Sequence, residues 1–131
     1  MANEVTKVEG PYEIHDFTVA EGVGIEQHTV CKLSDPRSAA ASSAADIFAG
    51  IAATEKVGGN GKTNLGLFTK GIFLMTASHA AITAGALVSL SGANLIKPAT
   101  EAEVVTGAAF GKALETIAAA TTGEVVIGRI A

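Results

Sequence analysis

Turn-forming residues constrain this chain more than any other feature. Glu21-Gly22-Val23-Gly24, Asp35-Pro36, Asn60-Gly61, Ala84-Gly85 and Ser91-Gly92-Ala93-Asn94 break it at short intervals. Glycine and asparagine accept positive φ, and proline lacks the N–H that a ladder needs. Only short extended segments fit between such points. Tyr12 to Val19 alternates Tyr12, Ile14, Asp16 and Thr18 against Glu13, His15, Phe17 and Val19. Ile25 to Leu33 reads as one strand ended by Asp35-Pro36, only partly one-sided because Val30 and Leu33 fall on opposite faces. From Asp46, "DIFAGIAATEKV" reads as a strand with Gly50 as a bulge or close-approach point. Asn60-Gly61 predicts a hairpin turn that returns the chain through Asn64 to Thr76. "ALVSL", "LIKPA", "AAFGKALETI" and "TGEVVIGRI" supply the later strands. Short strands at turn-like spacing predict an all-β fold, a small barrel or sandwich.

Three segments depart from that pattern. Ser38 to Ala45 is alanine and serine alone, with no apolar stripe, and reads as a loop or marginal turn. Thr100-Glu101-Ala102-Glu103 fits a capping box, so one short helix is expected over residues 101–106, ended by Gly107. Residues 1–11 carry Glu4, Lys7 and Glu9 between single valines and stop at Gly10-Pro11. They read as an extended N-terminal arm with too few apolar groups to order alone, ahead of a single β domain at 12–131.

The 131 residues suit one domain. Its filling is small: aromatics are 5%, Trp is absent, and alanine makes up much of the 48% hydrophobic fraction. Alanine buries little area, so such a chain gains from covering further surface against copies of itself or a partner. The net charge of −4 is scattered, with no basic stripe for a nucleic-acid backbone. Cys31, the single cysteine, has no disulfide partner or zinc-ligand spacing and reads as a small strand residue. The opening "MANEVTKVEG" is too polar for a signal peptide, which suggests assembly in a cytoplasm. Lys70 to Lys97 contains no charged residue between its ends and is long enough for a membrane span. Thr76, Ser78, His79, Thr83, Ser89, Ser91 and Asn94 interrupt it, so uncharged strands joined by a turn explain it better.

"KVGGNGKTN", residues 56–64, invites a nucleotide-binding reading. The phosphate loop requires a glycine five places before Gly61, where Lys56 stands. It also requires a following helix, whereas Leu65 to Leu74 is rich in strand formers. No nucleotide site is expected. His15, His28 and His79 lie far apart, without metal-ligand spacing. Ser78 and His79 are adjacent, and neighbours on a strand point to opposite faces. The sequence therefore offers no catalytic, cofactor-binding or metal-binding residues, and an enzyme is not expected.

From about Phe17 onward the chain resembles the small decoration, or cement, proteins of tailed-bacteriophage capsids. The phrases that carry the likeness are "LSDPR" (Leu33 to Arg37) and "DIFAGIAATEK" (Asp46 to Lys56), then "GIF" followed by "ITAGALVSLSGAN" (Ile82 to Asn94), and "GKALET" with "TGEVVIGRI". Residues 1–16 match poorly. The resemblance implies a structural virion protein on the outer face of the head, made and assembled in the host cytoplasm. It implies a homotrimer bound over junctions of the major capsid protein, with no cofactor, nucleic acid or membrane as partner. A different class, a small β-barrel adhesion or receptor-binding module on a virion or cell surface, remains open and would need a concave ligand site.

Overall fold

The computed structural model describes residues 4–128. It is all-β with one short helix. In chain order the elements are β1 (Thr6–Thr18), β2 (Val30–Ser34), β3 (Ser38–Ala41), β4 (Phe48–Ala52), β5 (Asn64–Ala77), β6 (Leu87–Gly92), β7 (Leu95–Pro98), α1 (Glu101–Thr106), β8 (Gly111–Ala113) and β9 (Thr122–Ile127). The sheet order is β1-β3-β2-β4-β5-β7-β6-β8-β9, with β5 also paired to β1 and β9. Those extra pairings close two rings of five strands that share β5.

The rings repeat one another. Thr18 pairs with Asn64 and His15 with Leu67 in the first; Thr76 pairs with Thr122 and Phe73 with Val125 in the second, at one constant displacement along the chain. Each ring also has one isolated bridge, Ile25 with Lys56 and Ile82 with Ile117, made by reciprocal backbone hydrogen bonds. Each has a parallel contact, β1 on β3 at Thr18–Ser38 and β5 on β7 at Thr76–Leu95. Gly50 and Gly111 hold equivalent places, paired with Cys31 and Val88. A Cβ on Gly50 would lie 2.8 Å from the Phe68 carbonyl oxygen, and one on Gly111 would run into the Val126 carbonyl oxygen. A bulge beside Gly50, at the register shift between Cys31 and Lys32, completes the close approach expected there.

Two apolar clusters fill the rings. Val19, Ile25, Cys31, Ala39, Leu65 and Leu67 belong to the first. Phe73, Met75, Ile82, Val88, Ile96 and Val125 belong to the second, which extends to Val30, Ile51 and Phe68 on the first ring's strands. Cys31 and Ala39 correspond to Val88 and Ile96, so the first ring is the more thinly filled.

Several expectations need correction. Ile25 to Leu33 is not one strand: His28 takes φ 66° and Thr29 N–H donates to the Glu26 carbonyl, so a turn separates Ile25 from β2. The strand from Asp46 is regular only over β4. Ser38–Ala41 is a strand rather than a loop, because β2 presents a ladder for it at Cys31–Ala41 and Leu33–Ala39, and Ala39 is buried. Asn60-Gly61 does not form a two-residue hairpin. β4 and β5 are antiparallel, but residues 53–63 lie between them, and Asn60 is not among the residues with positive φ. In "AAFGKALETI" only Gly111–Ala113 is a strand. The helix is as expected, with both halves of the capping box formed and Gly107 at φ 83°.

The N-terminal segment is extended but not free. β1 runs unbroken through residues 11 and 12, Thr6 pairs with Leu74, and Val5 is fully buried. Tyr12 packs on Phe68 and Phe73 at 5.3 and 5.5 Å, and the Lys7 ammonium lies over the Tyr12 and Phe68 rings. β5 supplies the apolar groups that this segment lacks. Deleting residues 2–10 is therefore expected to lower the melting temperature clearly, and an unchanged melt would contradict the pairing. Gly111→Ala should cost about 2 kcal/mol, roughly 5–10 °C in Tm. Gly22→Ala, where a Cβ meets nothing within 4 Å, should leave Tm within about 2 °C in the same calorimetric scan.

Candidate functional site

The glycine-rich stretch is organised by Lys56, a residue only 3% exposed. Its Nζ donates to the Glu21 carbonyl at 2.8 Å, the Val57 carbonyl at 3.1 Å and Asn60 Oδ1 at 3.2 Å. Those three bonds use all the protons of an ammonium. Gly61 N–H donates to Glu21 Oε1 at 2.7 Å and Lys62 N–H to Asn60 Oδ1 at 3.0 Å. The amides of Gly59, Asn60, Gly61 and Lys62 are therefore already bound, and β5, not a helix, follows. In the second ring the place of Lys56 is held by Ile117, so the ammonium is a local device for pinning this loop. Lys56→Met removes three hydrogen bonds, leaving each acceptor one backbone N–H, and should lower unfolding free energy by about 2 kcal/mol in urea titration. Calorimetric titration of the native chain with ATP or GTP should give no Kd tighter than about 100 μM.

The histidines are not brought together. Exposed His15 lies 3.8 Å from Glu13, and His28 packs its ring on Phe68 with Nε2 lacking a partner among the described residues. Burial, then the Lys7 charge, lowers the His28 pKa, partly offset by Glu4. Ser78 and His79 follow the end of β5; Ser78 Oγ is buried without a hydrogen bond among the described residues. The described residues contain no group of three His, Cys, Asp or Glu placed to hold a metal. No helix among them is long and apolar enough to cross a membrane. Cys31 is fully buried, and desolvation pushes its thiol up to about 12, which leaves almost no thiolate at neutral pH.

Glu103 sits in the tightest polar network. Lys97 Nζ donates to its Oε1 at 2.6 Å, Thr100 N–H at 2.9 Å and Ser89 Oγ at 3.0 Å. The Lys97 bond first, then Thr100 N–H and, more weakly, Ser89, hold the carboxyl at about 2 against an opposing desolvation. The network fastens α1 to β6 and β7. A carboxyl with a lowered folded pKa adds stability above its ordinary value of 4.5, and loses it as pH falls toward about 2. Glu103→Gln should cost about 2 kcal/mol near neutrality. The gap to the parent chain should close between pH 4.5 and 2 in pH-dependent melts.

The largest departure from the repeat is at one end of the first ring. Phe17 and Leu33 correspond to Met75 and Leu90 of the second. Leu90 is 1% exposed and Met75 fully buried, while Leu33 is 43% exposed. Between β7 and β8 the chain carries α1 and buries Ala108, Ala109 and Phe110. Between β3 and β4 only residues 42–47 intervene, ending on Ile47, which is 42% exposed. The result is an open cleft of about 530 Å³ lined by Phe17, Leu33, Ser34, Asp35, Arg37 and Ile47. It adjoins a second depression that shares Phe17 and Arg37 and adds Asp16. Sequence reading missed it; the one signal was Leu33 lying opposite Val30 on its strand.

No protein-family model matches the chain, and no curated protein sequence matches it. Among solved structures it is similar to the head fiber gp8.5 N base in bacteriophage phi29, with a TM-score of 0.51. The match covers 88% of this chain and 95% of that one at 15% identity. At that identity the likeness is one of fold: a compact all-β module.

Proposed function

We propose that this chain is a structural protein of a phage virion, not an enzyme, attached to the outer surface of the head over junctions of major capsid protein subunits. The observation that carries the reading is the fold shared with a phage head fiber base along nearly the whole length of both chains. The sequence phrases that resemble capsid decoration proteins support it from an independent side. Binding chemistry also suits it: the described residues present open, shallow clefts and no metal-ligand cluster. An acidic chain is better placed outside a DNA-filled shell than against its contents. Bridging neighbouring subunits opposes their separation under the outward push of packed DNA. A homotrimer holding several weak sites at once gains by effective concentration.

A second reading follows from the same likeness. The neighbour is the base of a fiber, so the module could seat a longer appendage or an adhesion segment on the head instead of clamping subunits.

Cosedimentation separates the two. Purified protein should pellet with empty, matured heads of its phage at saturating stoichiometry and raise the temperature at which those heads come apart. Density on the shell should show clusters of copies in mutual contact. Binding without any gain in head stability favours the appendage reading, and no binding to heads refutes both.

A further inference from the structure

Residues 72–74 of β5 have a strand on each side. β9 pairs with Ile72, Phe73 and Leu74 along one, and Thr6, Lys7 and Glu9 of β1 pair with them along the other. By the displacement that relates the rings, Ile14, His15 and Asp16 of β1 hold the same place in the first ring. β5 lies along one of their sides, at Phe68, Leu67 and Gly66. Along the other, among the described residues, nothing pairs with β1 until Thr18 reaches Ser38. Thr18 N–H donates to the Arg37 carbonyl on that side at 3.1 Å. Alternate residues of a strand aim their backbone groups the same way, so the amides and carbonyls of Ile14 and Asp16 project there too. Gly66, opposite Asp16, agrees: its carbonyl accepts from Ala53 N–H, on the side away from β1. An open depression of about 390 Å³ follows residues 14–18. The fold thus repeats a place for an antiparallel strand, filled by residues 6–9 in the second ring and open in the first.

A second β1 matches that open edge in one register. With Ile14 set opposite the partner's Ile14, each Ile14 N–H meets the other copy's Ile14 carbonyl. Ile14 is 55% exposed, and this contact covers it. Glu13 then faces the partner's His15, and His15 the partner's Glu13. Within one copy these side chains already lie 3.8 Å apart, and Lys70 is 3.9 Å from Glu13. Each Asp16 comes opposite the partner's Tyr12, so the two Asp16 carboxylates stay apart. Neighbouring registers are worse. Centring on His15 sets imidazole against imidazole, and centring on Glu13 sets carboxylate against carboxylate. The charges therefore guard the edge against loose pairing while permitting this one.

From this complementarity we infer that two copies of the chain join edge to edge through β1, antiparallel about a two-fold axis at Ile14. Residues 12–16 on each side bury far less area than a stable dimer needs, so the contact is weak in dilute solution. It gains where many copies are held together on one surface. A two-fold contact closes on two copies, so it links three-fold clusters to one another and does not build them. The inference stands apart from the reading proposed above.

The test uses single cysteines in the full chain, where Cys31 is fully buried and does not compete. The axis sets the two Ile14 Cα atoms about 5.5 Å apart, within disulfide reach, and the two Asp16 Cα atoms more than about 12 Å apart, beyond it. Under mild oxidation at submillimolar protein, Ile14→Cys should cross-link into dimers at least about tenfold faster than Asp16→Cys. In analytical ultracentrifugation the native chain should dimerise weakly, and Ile14→Lys should weaken that at least about threefold by placing like charges together at the axis. On dilution the amide signals of Ile14 and Asp16 should move together. A thermal melt confirms that each variant folds; if Ile14→Lys does not, the comparison of the two cysteine variants carries the test. A native chain that stays monomeric at millimolar concentration, equal cross-linking at the two positions, or association that Ile14→Lys leaves unchanged overturns the inference. So do Ile14 and Asp16 amides that shift only when matured heads are added, because a strand of another protein then takes the edge; that result leaves the head-binding reading standing.

Discussion

Among the described residues, both rings of strands close on β5. It is the longest strand, Asn64–Ala77, and pairs antiparallel with β1 over one stretch and with β9 over the other. Its neighbours β4 and β7 complete the two rings on either side. A strand ringed in this way has no bare edge of its own, whereas β1 meets β3 only at Thr18 along its other side. The same strand carries Phe68, Phe73 and Met75, so it sets backbone order and much of the apolar core together.

The two rings use one backbone plan with different contents. In the second, medium and large apolar groups pack to near-complete burial, and α1, tied down by Glu103, covers part of the outside. In the first, alanine and cysteine replace isoleucine and valine, Lys56 replaces Ile117, and one end stays uncovered. Low aromatic content was visible in the sequence as a shortage of buried area; the fold places much of that shortage in one ring.

Elements marked by local chemistry were legible in the sequence. The capping box named the helix and both its ends, and the run from Asn64 to Thr76 named β5 nearly to the residue. Elements specified by their partners were not. Ser38–Ala41 has no strand pattern of its own and is extended because β2 and Thr18 give it hydrogen-bond partners. Residues 6–10 look like a polar arm because the apolar surface that orders them belongs to β5. The turn at His28 escaped notice because the residue in left-handed backbone is a histidine; its counterpart, Gly85, would have signalled it. The repeat was hidden for a related reason: pairs such as Cys31 and Val88 or His28 and Gly85 share geometry without sharing chemistry. That a strand, not a helix, follows the glycines was legible from the residues alone. The buried ammonium that replaces a phosphate as the centre of that loop was not.

Sharing β5 also decides what kind of repeat this is. In a solenoid each unit has its own strands and can be lost from an end while the others stand. Here neither half possesses a complete set, because each borrows its fifth strand from the other. Cutting the chain on either side of β5 leaves one part with four strands and an open seam. The halves must then gain and lose their structure as one cooperative unit, although their pairing diagrams look like those of two domains.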